Sequence, residues 1–308
     1  MRRWQPAADR DTLLARSRFI GLVRDFFHQR GVLEVTTPLL VSAVAPERFQ
    51  TPPSCQYGYL QTSPETAMKR LVAAGTGSIF QICPAFRADE AGRLHNPEFT
   101  MLEWYRPGWG YRALMEEVSA LVQSLLAIPA PITLTFQQAF QKYVGIDPFS
   151  DPISKLKSRS SMTPPEGLDR SGLVDFLLLD QLEPSLKKQG DNIFLYEYPA
   201  WDPAMAEVSP GPPPVALRFE LYIDGVEIAN GYQELTDASE QKRRLDEANR
   251  QRLSDGLGVL PVDDLFLAAL QSGFPRCAGV ALGMDRLLML ALKKKSIAEV
   301  MTFPSDRC

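Results

Sequence analysis

Apolar side chains recur along residues 13–29 at Leu13, Leu14, Phe19, Ile20, Leu22, Val23, Phe26 and Phe27. That is the spacing of a helix with one broad buried face. Gly31 is placed to end it with a left-handed cap. A short strand is expected at 32–35, stopped by Thr37-Pro38. Residues 42–58, rich in proline and polar groups, read as irregular. A second helix is predicted over 64–73, with Ser63 as N-cap and Gly75 as stop.

Strands are expected at 79–86 and 99–105, then a helix at 114–126. The stretch 147–167 carries Ser158-Arg159-Ser160-Ser161 and Pro164-Pro165 and reads as an exposed connection. A helix over 172–182 and a strand over 194–198 follow. Ser209-Pro210-Gly211-Pro212-Pro213-Pro214 is a stiff loop. Strands at 216–223 and 226–230 flank Asp224-Gly225, a two-residue hairpin signal. Helices are predicted at 239–253 and 265–271. A buried strand at 279–283 opens a last helix from Met284. Hairpins mixed with helices, without regular strand–helix alternation, predict an α+β fold with a mainly antiparallel sheet.

Composition narrows the function classes. The hydrophobic fraction of 45% and charged fraction of 23% are those of a globular chain of 308 residues. A net charge of -4 provides no basic field for general nucleic-acid binding. Lys293-Lys294-Lys295 reads as a solvated helix end. Four cysteines without paired spacing read as free thiols, and two histidines are too few for a His-rich zinc site. The start, Met1-Arg2-Arg3-Trp4-Gln5-Pro6, has no apolar run after its charges and does not read as a signal peptide. No segment has the apolar length of a membrane span. The expected location is the cytoplasm.

Three segments carry candidate chemistry. In the first, Arg87 follows one strand, a polar loop comes next, and a second strand ends in Glu103, Trp104 and Tyr105. A guanidinium there can grip a phosphate or carboxylate in two contacts, and a buried Glu103 would need a cation. An ion-paired rim of an exposed hairpin is the competing reading. In the second, the Asp224-Gly225 turn places Tyr222 opposite Glu227 and Glu220 opposite Ala229. Glu220 and Glu227 then share a face and can share a cation. Magnesium suits one or two carboxylates completed by phosphate and water. The competing reading is a solvated sheet face. In the third, Gly279, Ala281 and Gly283 leave a flat floor, and Arg286 opens a helix where phosphate binding is favoured. Neither a P-loop nor a dinucleotide fingerprint is present.

Together and in this order, the segments resemble the three motifs of class II aminoacyl-tRNA synthetases. Residues 30–39 look like motif 1, 86–103 like motif 2 and 279–286 like motif 3. Within that class, Thr62-Ser63-Pro64-Glu65, His95-Asn96-Pro97-Glu98-Phe99-Thr100-Met101 and Glu227-Ile228-Ala229-Asn230-Gly231-Tyr232-Gln233-Glu234-Leu235 are similar to the lysyl enzyme. With the first helix near residue 11, no room remains for an anticodon-reading OB-fold, and residues 1–308 are expected to form one catalytic domain. The chain looks more like the short paralogues that ligate (R)-β-lysine to elongation factor P.

The resemblance implies ATP and magnesium (Mg2+) as cofactors, and lysine or (R)-β-lysine and elongation factor P as partners. It implies a homodimer through the motif 1 region and makes tRNA an unexpected substrate. Arg87 and Arg286 should act on the phosphates, with Asp89, His95 and Phe99 completing the ATP site. Glu220 and Glu227 match metal-binding acids. Glu103, Tyr105 and Glu234 match the pocket for a side-chain ammonium, while Asn230 and Tyr232 line the amino-acid site and Ser63 and Glu65 lie near the adenylate. Gly283 belongs to the floor, and Ala281 stands where the tRNA-charging enzyme has glycine, reshaping that floor towards a β-amino acid. Ala88, Asp89 and Thr66-Ala67 depart from the usual pattern. A tRNA-charging fragment and a non-catalytic amino-acid sensor are the alternative functions.

Overall fold

The computed structural model describes residues 4–48 and 50–308. The charged start Met1-Arg2-Arg3 and Phe49, within the stretch read as irregular, lie outside the described residues. The first amphipathic run forms α1 (Arg10–His28), opened by Asp9, whose carboxylate accepts the Thr12 N–H. Gly31 follows with φ +66°, the left-handed conformation expected of it. Next come β1 (Leu33–Glu34), β2 (Leu40–Val41), β3 (Ser54–Cys55) and β4 (Gly58–Leu60). The last three pair in the order β2-β4-β3. Part of the 42–58 stretch is therefore a small sheet; strands this short carry no alternation to detect.

Helix α2 (Glu65–Ala73) starts where the Ser63 hydroxyl accepts the Glu65 N–H at 3.1 Å. After it come β5 (Ile79–Phe86), β6 (Glu98–Pro107), α3 (Tyr111–Leu126), β7 (Ile132–Thr135) and α4 (Phe136–Ala139). The stretch 147–167 is not simply an exposed connection. It contains α5 (Ile153–Lys157), anchored by the buried Leu156, and Arg170 donates to the carbonyls of Pro148 and Asp151. One apolar anchor among polar residues has no periodicity to reveal it. The helix expected over 172–182 is α6 (Arg170–Leu177), which passes through a wider turn into α7 (Glu183–Gln189).

The remaining elements are β8 (Ile193–Pro199), β9 (Val208–Ser209), β10 (Val215–Ile223), β11 (Val226–Gln233), α8 (Ala238–Ser254), α9 (Asp264–Gln271), β12 (Cys277–Gly283) and α10 (Met284–Ala291). Nine strands form one sheet in the order β1-β5-β6-β12-β11-β10-β8-β7, with β9 on β10. The β1–β5 and β7–β8 pairs are parallel and the rest antiparallel. This is the mainly antiparallel α+β fold expected.

Alternation along the strands separates two faces. Leu102, Trp104, Val280, Leu282, Phe219 and Leu221 pack under α1, α3 and α10. Phe27 sits at their centre, stacked on Phe80 at 4.6 Å and edge-on to Trp104 at 5.2 Å. Complete burial of such a ring contributes about 1.5–3 kcal/mol. On the opposite face two smaller cores form. One packs Tyr105, Cys277 and Ile79 beneath α2 and α9. The other packs Leu195, Tyr198 and Tyr222 beneath α4 to α7. The sheet between them is open.

Candidate active site

The open sheet surface is the floor of a cavity of about 410 Å³, within the usual range for small-molecule sites. Strand register assembles it. Gly279 pairs with Tyr105, Ala281 with Glu103 and Gly283 with Met101; across β11, Asn230 pairs with Ala281 and Tyr232 with Gly279. Every residue singled out from the sequence as a site candidate lines this cavity except Asp89. Asp89 is exposed, and the neighbouring Glu90 takes its place in the wall.

The hairpin register differs from expectation in one respect. Asp224 and Gly225 both have positive φ, as a tight hairpin turn requires, and Tyr222 faces Glu227. A bulge then shifts the ladder, so Glu220 pairs with Asn230 and Leu221 with Ala229. A two-residue turn does not announce a bulge further along. The shift carries Ala229 to the core side and brings Asn230 to the carboxylate face.

One end of the cavity is acidic and deeply buried. Glu103 is 2% exposed and accepts hydrogen bonds from the Ser63 hydroxyl at 2.7 Å and the Tyr105 hydroxyl at 2.6 Å. Burial, reinforced by the charge of Glu65, pushes its carboxyl up to about 8. Burial likewise raises Glu234 to about 7, with the ammonium of Lys69 acting in the opposite direction. Gly279 cannot be larger: a Cβ there would stand 2.3 Å from Glu234 Oε1 and 2.4 Å from the Tyr105 ring.

The other end lies four residues along β6, about 13 Å away at strand spacing, and holds arginines. Arg87 lies over the Phe99 ring at 5.2 Å and reaches Glu90 at 3.4 Å, while its buried Nε has no hydrogen-bond partner among the described residues. Arg286 donates to the carbonyls of Glu227 at 2.9 Å and Leu94 at 3.2 Å, and its Nη2 lies 2.7 Å from His95 Nε2. Burial and the Arg286 charge lower the His95 pKa, which favours a neutral ring that accepts from the guanidinium. Asp285 fixes the first turn of α10: it is buried and accepts from the Thr100 N–H at 2.7 Å and from Arg16 at 2.6 Å.

The profile of the family described as tRNA synthetases class II (D, K and N) matches residues 4–307. This chain belongs to that family. A protein of Pectobacterium atrosepticum named elongation factor P–(R)-β-lysine ligase is 44% identical over 322 residues, covering 99% of this chain and 98% of its own. Proteins of the same name from Proteus mirabilis and Edwardsiella ictaluri are also 44% identical, covering 99% and 100% of this chain and 98% and 99% of theirs.

Class II synthetase-like ligases use ATP, and magnesium is typical of them. Among the described residues no group of three or more His, Cys, Asp or Glu side chains is arranged to hold a metal. Glu227, partly exposed on the carboxylate face, pairs with Arg286 at 3.3 Å and would be available to one once that contact is exchanged. Glu220 is engaged: Arg218 pairs with Oε1, and the hydroxyls of Tyr198 and Tyr222 donate to Oε2 at 2.6 and 2.7 Å. Glu183, at the start of α7, is pushed up to about 7 by burial and by the charges of Glu227 and Glu220. A carboxyl raised by neighbouring carboxylates in this way marks a place that favours a cation. The set fits magnesium that brings phosphate and water as its remaining ligands.

Sequence reasoning missed three residues that matter. Lys69 stands one helical turn after Glu65, a spacing that pairs opposite charges and could have revealed it. Arg218 alternates with Glu220 and so shares its face. Glu90 carried no pattern at all.

Proposed function

We propose that this chain is an ATP-dependent ligase that activates (R)-β-lysine, or lysine, as an aminoacyl adenylate and transfers it to the ε-amine of a lysine on elongation factor P. The observation that carries the reading is one cavity with a desolvated acidic slot at one end and two arginines at the other, in a chain 44% identical to ligases of that name over nearly its whole length.

Arg87 holds the substrate carboxylate against the α-phosphate, using the buried Nε that has no hydrogen-bond partner among the described residues. The carboxylate oxygen bonds to the α-phosphorus as the bond to pyrophosphate breaks. No general base is required, because the carboxylate is already ionised. Arg286 exchanges His95 and the Glu227 side chain for phosphate oxygens, and Phe99 offers a ring face to the base. Glu227 and, once Arg218 yields, Glu220 would hold magnesium, which supplies positive charge to the triphosphate. Glu103, Tyr105 and Glu234 hold the side-chain ammonium, with Asn230, Tyr232 and Glu65 along the backbone of the amino acid and Ala281 and Gly283 beneath it. In the second step the neutral ε-amine of the elongation factor P lysine bonds to the carbonyl carbon, the carbon–oxygen bond to AMP breaks, and the nitrogen releases a proton to solvent as the amide forms.

Residues 1–308 act as one unit in this reading. Leu14, Leu22, Leu33 and Leu40 are all at least 40% exposed on α1, β1 and β2 and supply an apolar face for a homodimer through the motif 1 region. Among the described residues no helix is long and apolar enough to cross a membrane; a cytoplasmic location suits the reaction.

Mass spectrometry of elongation factor P after incubation with the enzyme, ATP and each lysine isomer tests the reading. The expected product carries one added lysyl or β-lysyl group on one lysine. Charging of tRNA with no modification of elongation factor P would overturn it.

A further inference from the structure

Lys69 is a buried charge at the acidic end that the mechanism leaves without a task. Its side chain is 1% exposed, and its ammonium lies 2.6 Å from Glu65 Oε1 and 2.5 Å from Glu234 Oε2. The Phe266 ring stands behind it at 5.7 Å. Glu65 and Glu234 line the cavity and Lys69 does not. Lys69 engages one oxygen of each carboxylate, and the second oxygen of each accepts no hydrogen bond among the described residues. Glu103 has hydroxyl donors but, among the described residues, no cation in contact.

We propose that Lys69 is a resident counter-ion of the amine pocket, a positioning residue that neutralises one of the three pocket carboxylates and sets specificity for an amino acid with two ammonium groups. The proposal rests on the ligase reading above. In the empty pocket burial favours the protonated form of Glu103; with substrate ammonium groups in place, ionised Glu65, Glu103 and Glu234 would bring three negative charges and Lys69 one positive charge, leaving two to be met. Lysine and (R)-β-lysine each bring two ammonium groups, while their carboxylate is taken at the arginine end. An unpaired carboxylate at this depth costs several kcal/mol, so a one-amine acid leaves the balance unmet. Burial alone would lower the Lys69 pKa, but the charges of Glu234 and Glu65 hold it above the ordinary lysine value, so the counter-ion stays charged.

ATP–pyrophosphate exchange on purified full-length variants tests this. Lys69→Met should raise the KM for lysine about tenfold or more, as expected for breaking a buried charge pair, and leave the KM for ATP within about twofold. The double variant Lys69→Met with Glu234→Gln removes one charge of each sign. It should melt at a higher temperature than Lys69→Met and show a lower KM for lysine than Lys69→Met, while staying above the parent because Glu234 also meets the substrate ammonium. If Lys69→Met does not fold, the double variant is compared with Glu234→Gln, which keeps a surplus cation; the double variant should show the lower KM. A folded Lys69→Met with an unchanged KM for lysine, or a double variant no better than its comparator, would overturn the proposal. Failure of the parent enzyme to exchange with either lysine isomer would instead sink the ligase reading itself.

Discussion

The two ends of the cavity are both charged, yet they are built differently. At the amine end Glu103, Glu234 and Lys69 are at most 2% exposed, and their partners come from α2 and the turn before it, from β6 and from the residue after β11. At the phosphate end Arg87 and Arg286 keep 25% and 20% of their side chains exposed, and they touch Glu90 and Glu227, which are more open still. Contacts of the second kind are weak and exchangeable, so a triphosphate can replace them. Contacts of the first kind are set by the fold, and low local polarity makes each mismatch expensive. Discrimination therefore belongs to the amine end, and charge stabilisation during the reaction to the phosphate end.

The largest break in this comparison should come from Arg286→Ala. The variant should lose about 10²–10³ in the rate of pyrophosphate exchange, the usual cost of removing a charge-stabilising donor. Added lysine should still raise its melting temperature, because the amine end is untouched. Loss of that protection would show that the ends are not separate.

Glu103→Gln breaks the other end. With lysine, kcat/KM should fall about a hundredfold, with the KM for ATP nearly unchanged. The empty variant should also gain stability at pH 8. Glu103 titrates near 8 in the folded protein, above the usual glutamate value. The native state thus keeps a proton that the unfolded chain has released, and parent stability drops as pH rises from about 4.5 to about 8. The variant escapes this drop and should be about 1–3 kcal/mol more stable at the upper end. Urea unfolding across that window measures it. A smaller effect separates two floor positions. Gly279→Ala meets Glu234 and Tyr105 and should cost about tenfold in kcat/KM for lysine, whereas Gly283→Ala, whose added methyl comes no closer than 3.7 Å to the nearest atom, should cost about twofold. The smallest is Ala281→Gly, expected to shift the preference between lysine and (R)-β-lysine by a few-fold.

The parts of the site that were legible in the sequence were those carried by short-range rules. Asp224-Gly225 announces its turn, alternation puts Glu103 and Tyr105 on one face, and Gly279, Ala281 and Gly283 declare a bare floor. What stayed hidden depends on contacts across the chain. The pairing of Lys69 with Glu234 spans α2 and the end of β11, and the grip of Tyr198 on Glu220 spans β8 and β10. The bulge that moves Ala229 off the carboxylate face is a tertiary choice, as is the use of Glu90 in place of Asp89 at the rim. In the fold, α7 after Leu182 and the short helix around Leu156 were missed because their burial is local and aperiodic.

The most direct test of the account compares amino acids that differ only in the distal charge. ATP–pyrophosphate exchange by the parent enzyme should favour lysine or (R)-β-lysine over norleucine, the neutral analogue of lysine's chain, by about a hundredfold or more in kcat/KM. Equal exchange with norleucine would mean that the buried carboxylates of Glu103 and Glu234 do not select an ammonium, and the central claim would be wrong.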